Sequence, residues 1–121
     1  MQIKCNKDFW ETIDILVSSG KIVIDRPKGS MHPRFSNIVY PIDYGYIENT
    51  ASMDGGGIDV WIGSLPDKTV NSIICTVDIM KKDSEIKLLI GCTEEEINLI
   101  YEFHNNSEYM KGILIKRCEK L

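Results

Sequence analysis

Apolar residues recur at helical spacing near the start of the chain, at Phe9, Ile13, Leu16 and Val17. This pattern predicts a helix from Asn6 to Ser18, with Asn6 as its N-cap and Gly20 ending it. Runs of β-branched and aromatic residues follow. Strands are predicted over Lys21–Asp25, within "IVYPIDYGYIENT", over "IDVWIG", over Ser72–Met80, over "IKLLIG" and over "GILIKR". Leu65 to Asn71 reads as a turn around "PDK", and "KKDSE" reads as a hairpin tip. Thr93 has Glu96 three positions later, which is capping-box spacing. The helix it opens runs to about His104, with Ile97, Ile100 and Tyr101 on one face. No alternation of strand and helix is present, so a small antiparallel barrel or an α+β domain is expected rather than a doubly wound sheet.

The length, 121 residues, and a hydrophobic share of 43% suit one domain over 1–121, with residues 1–20 an added N-terminal helix. A net charge of -4 argues against nonspecific nucleic-acid binding, although a local basic cluster still suits a small anion. No stretch has signal-peptide or membrane-spanning character, so a cytoplasmic location with no membrane partner is expected. The four cysteines form no CxxC pair, and no zinc spacing accompanies them. They read as reduced thiols packed as small apolar residues.

Candidate chemistry centres on "DGGGID", residues Asp54 to Asp59, where three glycines separate two carboxylates. A glycine-rich bend lets both carboxylates converge on a hard cation such as Mg²⁺, which takes oxygen ligands. The plain alternative is an ordinary turn. Asp25, Lys28, Arg34, Tyr44, Tyr46, Glu85 and Lys87 fall in or beside neighbouring loops. Phosphate chemistry calls for such a mixture of cations, carboxylates and hydroxyls. For each charge, and for Lys87 above all, the alternative is a solvated surface residue; for the tyrosines it is packing.

The segments "DRPKGS" and "VYPIDYGYIENTASMDGGGIDVWIG" resemble the soluble, Mg²⁺-dependent, barrel-type inorganic pyrophosphatases. The resemblance is strongest from Asp25 to Gly63, looser through the 83–91 hairpin and the C-terminal helix, and leaves the N-terminal helix unmatched. It implies a mainly β or α+β fold, a small closed OB-like β-barrel with N- and C-terminal helices. It implies Mg²⁺, or Mn²⁺ in its place, held by Asp54, Asp59 and Glu85. Asp54, Asp59 and Tyr44 fall on catalytic positions. Lys28, Arg34, Tyr44, Lys87 and His104 fall where pyrophosphate, or another small phosphorylated substrate, would bind.

The departures from the family pattern are specific. Gly56 stands in place of the central signature Asp, the best candidate to deprotonate or orient the attacking water, and Gly57 in place of a Pro. A hairpin is nearly absent, with only Ser36 to Tyr40 left to connect its flanks. His104-Asn105 occupies the place of a Tyr-Lys pair. Asp43, Glu48, Asp83 or His32 is left to supply a base, His32 being equally well a surface histidine and His104 a helix-end cap. Three activities stay open: pyrophosphate hydrolysis, hydrolysis of a larger phosphoanhydride or phosphate ester in a more open site, or binding of a phosphorylated ligand or a protein without turnover. A homo-oligomer is compatible with each.

Overall fold

The computed structural model describes residues 6–52 and 55–118. Eight elements follow in order: α1 (Lys7–Ser18), β1 (Ile22–Arg26), β2 (Asp43–Ile47), β3 (Ile58–Ile62), β4 (Val70–Asp78), β5 (Asp83–Ile90), α2 (Glu94–Asn105) and β6 (Met110–Lys116). Both helix starts are the expected ones. The Asn6 side chain accepts from the Phe9 N–H at 3.1 Å. At α2 the Thr93 hydroxyl accepts from Glu96 N–H at 3.1 Å while the Glu96 carboxylate accepts from Thr93 N–H at 2.8 Å, a closed capping box. The same carboxylate accepts from Ser64 N–H, which ties α2 to the end of β3.

The strands form one mixed six-stranded sheet of order β1-β2-β3-β5-β4-β6. All pairings are antiparallel except β3 with β5, which run parallel. Strands β1 and β6 are its two edges, so the strand pairings do not close the expected barrel. The fold is α+β. Alternation along the strands gives the sheet two apolar faces, and a helix covers each. Trp10 and Ile13 of α1 pack on one face with Ile47, Val60, Val70, Ile73, Leu88 and Ile90. Ile97 and Ile100 of α2 pack on the other with Tyr40, Ile42, Trp61, Ile74 and Leu89. Helix side chains fill the first face where a closed barrel would bring more strand.

The last described residues hold α1 in place. The Arg117 guanidinium donates to both carboxylate oxygens of Asp14, at 2.9 and 2.8 Å, and lies 5.8 Å from the Trp10 ring. Cys118 packs against the α1-side core and is disulfide-bonded, its partner lying outside the described residues. This corrects the expectation of four reduced thiols; Cys75 and Cys92 are free. The sequence pattern could not reveal the bridge, because cysteine spacing alone does not say which thiols approach each other in space. No helix among the described residues is long and apolar enough to cross a membrane.

Helix α1 is thus part of the core. Trp10→Ala is expected to cost about 3–5 kcal/mol by opening a cavity between helix and sheet. Ile15→Ala on the exposed side of the same helix should stay within about 0.5 kcal/mol. Denaturant unfolding of both variants measures this, and equal small losses would show that the helix is dispensable.

Candidate functional site

Strands β2, β3 and β5 place Tyr44, Asp59, Glu85 and Lys87 on the α2 side of the sheet. Register explains how. Tyr44 lies opposite Trp61, two positions from Asp59, and Trp61 lies opposite Leu89, two positions from Lys87. The Lys87 ammonium donates to Asp59 Oδ2 at 2.8 Å, Tyr44 Oη at 2.9 Å and Glu85 Oε2 at 3.1 Å. Its three protons therefore have three acceptors. Lys87 is 5% exposed, so the surface alternative does not hold.

Burial acts on this group in both directions. Desolvation alone would lower the Lys87 pKa, but the facing Tyr44 and Asp59 oxygens outweigh it, and the ammonium is held charged above the ordinary lysine range. Burial raises the Tyr44 hydroxyl and keeps it a neutral donor. The second carboxylate oxygen of Glu85 is buried and has no hydrogen-bond partner. A desolvated acceptor without a donor is costly, and a cation or a ligand proton would satisfy it.

The glycine loop lies before β3. Gly55 takes φ 81°, a left-handed conformation that favours glycine. A Cβ at Gly57 would fall 2.5 Å from Ile47 O and 2.9 Å from the Tyr46 ring, so the loop packs directly on β2. Thr50 fastens its base, accepting from Ile58 N–H at 2.8 Å and donating to Ile47 O at 2.7 Å. Asp54 lies outside the described residues. Among the described residues no group of three metal-ligating side chains converges. Asp59 and Glu85 meet at the Lys87 ammonium.

Other predicted site residues lie elsewhere. Lys28 is exposed, and its backbone N–H donates to Asp43 Oδ1 at 2.8 Å. That bond occupies one oxygen of a candidate base. Arg34 is exposed in the 27–42 loop, and its N–H donates to His32 Nδ1 at 3.1 Å. His32 then carries its proton on Nε2 and presents a donor rather than a base. The loop around Arg34 folds on itself through a Met31–Val39 bridge.

His104 departs furthest from expectation. It is 4% exposed, and its Nε2 accepts from the Trp61 indole N–H at 3.1 Å, with Nδ1 against Met110 Sδ. It is a core residue and does not face an anion from solvent. Burial, with the Lys87 charge adding to it, pushes its pKa down to about 3. The Trp61–His104 bond spans 43 positions, and no local sequence pattern signals it.

Neither a family model nor a curated protein matches the chain. Solved structures do. The inorganic pyrophosphatase of Helicobacter pylori aligns with a TM-score of 0.57 and 15% identity, covering 78% of this chain and 82% of that one. That of Neisseria gonorrhoeae gives 0.52 and 19% identity over 76% of this chain and 71% of its own. That of Coxiella burnetii gives 0.51 and 17% identity over 80% and 79%. The fold is pyrophosphatase-like.

His104 makes stability depend on pH. Its folded pKa of about 3 lies below the ordinary 6.5, so the unfolded chain binds the extra proton. The contribution is complete above pH 6.5 and is lost as pH falls toward 3. At pH 5 the loss should be about 2 kcal/mol relative to pH 7. His104→Gln, which can still accept from Trp61, should remove that part of the pH dependence. Parallel denaturant titrations at the two pH values read the difference, and identical profiles would contradict it.

Proposed function

We propose that this chain is a cytoplasmic, Mg²⁺-dependent hydrolase that splits inorganic pyrophosphate into two phosphates, with the Lys87 cluster at its centre and a reduced rate. The observation that carries this reading is the buried Lys87 ammonium, drawn between oxygens of β2, β3 and β5 in a pyrophosphatase-like fold. A desolvated ammonium is a strong partner for phosphoryl oxygens.

Asp59 and Glu85, together with Asp54, are the residues that would hold Mg²⁺, or Mn²⁺ in its place. The unpartnered buried oxygen of Glu85 fits that role. Mg²⁺ commonly binds through one or two carboxylates and completes its shell with waters and substrate phosphates. When bound, the ion neutralises phosphoryl charge and makes its water more acidic. Lys87 would exchange one of its three present acceptors for a phosphoryl oxygen, and Tyr44, kept neutral by burial, would donate to the charge that develops on it. The cations of the 26–34 loop attract the anion and orient it toward the sheet.

Proton removal from water is the weak point, because Gly56 offers no carboxylate. One observation favours a second reading, a phosphate-ligand binding module without turnover: Lys87 already bonds both described carboxylates.

The deciding experiment incubates the pure protein with Mg²⁺ and a panel of phosphate compounds and measures phosphate release. Release from pyrophosphate is expected, and its complete absence would favour the binding module. Asp59→Asn should lower turnover by roughly 10²-fold or more. Gly56→Asp should raise it, since a positioned base is worth on the order of 10²–10⁴. A folded Gly56→Asp variant with unchanged turnover would show that Gly56 is not a missing base.

A further inference from the structure

The 27–42 loop carries an aromatic surface beside cations that form no ion pair among the described residues. Its backbone folds tightly: Gly29 N–H donates to Tyr40 O, Tyr40 N–H to Ser30 O, His32 N–H to Ile38 O and Ile38 N–H to Phe35 O. The outer turn is thereby held in place, and Phe35 stands out from it at 54% exposed. Met31 and Val39, both exposed, bridge at its base. The His32 ring lies 5.3 Å from Phe35 and 6.4 Å from Tyr40, parallel to the latter within 6°. Tyr40 continues to Tyr44 at 5.4 Å, and the Lys87 ammonium lies 5.5 Å from the Tyr44 ring. A ladder of rings thus connects the exposed loop to the buried cluster.

Positive charge gathers along the same edge. Arg26 lies opposite Tyr44 in the β1–β2 register, and Arg34 bonds the His32 ring through its backbone N–H. Burial lowers the His32 pKa, and the charges of Arg26, Lys81 and Arg34 lower it further. Among the described residues none of these three forms an ion pair. The chain as a whole is acidic, with net charge -4, so the local concentration of cations is not a consequence of composition. Three cations without an ion pair among the described residues, together with the His32 Nε2 donor, suit an anion of several charges. The adjoining exposed Phe35 suits a flat apolar group attached to that anion.

We infer that the ligand of this edge is a nucleoside diphosphate or triphosphate, its base on Phe35 and its phosphates between Arg26, Arg34 and Lys81, directed toward Lys87. The inference rests on the phosphoanhydride reading of the Lys87 site and names a larger substrate for it. Pyrophosphate would use the cations and leave the aromatic surface empty. A nucleotide uses both.

Binding is measured by calorimetry with ADP and with pyrophosphate, in EDTA so that no metal-dependent turnover intervenes. The two ligands share a diphosphate and differ by adenosine. ADP should bind about tenfold more tightly, the size of one base–aromatic stack. Phe35→Ala, at an exposed position, should abolish that advantage and leave pyrophosphate affinity unchanged, while Phe35→Trp should retain it. Lys81→Ala should weaken both ligands together. Equal affinity for ADP and pyrophosphate, no ADP binding, or an advantage that survives Phe35→Ala would each overturn the inference. ADP binding with a Phe35-dependent advantage but no phosphate release from pyrophosphate would reject the hydrolase alone. Pyrophosphate turnover without an ADP preference would reject the nucleotide alone.

Discussion

A charged ammonium inside a protein is tolerated only when all its protons are taken up. Left unpaired, it costs several kcal/mol. At Lys87 the acceptors come from three strands, so the requirement organises the sheet around it. Tyr44 can reach only if β2 is in register with β3, and Asp59 only if β3 lies beside β5. Trp61 enforces both conditions: fully buried, it sits opposite Tyr44 on one side and Leu89 on the other. Its indole N–H needs an acceptor in an apolar layer, and His104 of α2 provides one. The polar cluster, the aromatic layer and the placement of α2 therefore form one connected set of constraints.

The two covered faces have different chemistry. On the α1 side the buried cluster is apolar throughout, and α1 is held by the Arg117–Asp14 pair. On the α2 side the apolar layer gives way at one end to the Lys87 cluster. The stable face supports the sheet, and the other face can carry groups poorly suited to a core. The chain has no βαβ crossover, yet β3 and β5 run parallel, because β4 is reached first and the chain returns antiparallel. That return brings Glu85 and Lys87 beside Asp59.

Much of the fold was legible in the sequence wherever the signal is local. Asn6, Thr93 and Glu96 mark helix starts because capping is a contact over three positions. The strands were legible from β-branched runs, most bounds to within two residues, but β5 begins at Asp83, inside the run read as a hairpin tip, and β2 fills only the middle of its run. What was not legible depends on distant partners. Sheet closure, the Cys118 bridge and the burial of His104 each require knowing which segments meet. His104 illustrates the limit: a histidine near a helix end looks the same whether its ring faces solvent or accepts from a tryptophan. The site was legible in part. The resemblance brought together Tyr44, Asp59, Glu85 and Lys87, and these four do meet. Lys28 and Arg34 stay on an exposed loop with no side-chain contact to that cluster among the described residues. Phe35 and Lys81 carry no sequence signal, since an aromatic residue in a basic loop and a lysine at a hairpin tip are individually ordinary.

The chain has two tryptophans, one in each core. Trp10 lies against the Arg117 guanidinium between α1 and the sheet. Trp61 has its ring 4.6 Å from that of Tyr44 and its N–H bonded to His104. Indole emission responds to nearby charge and to the hydrogen bond at its nitrogen. The molecule thus contains two optical reporters that view different events. Trp61 registers a change of charge or proton at the Lys87 cluster, while Trp10 registers whether α1 remains seated. Replacing either one by Phe leaves the other as a single internal probe, so site occupancy and helix docking can be followed separately in the same protein.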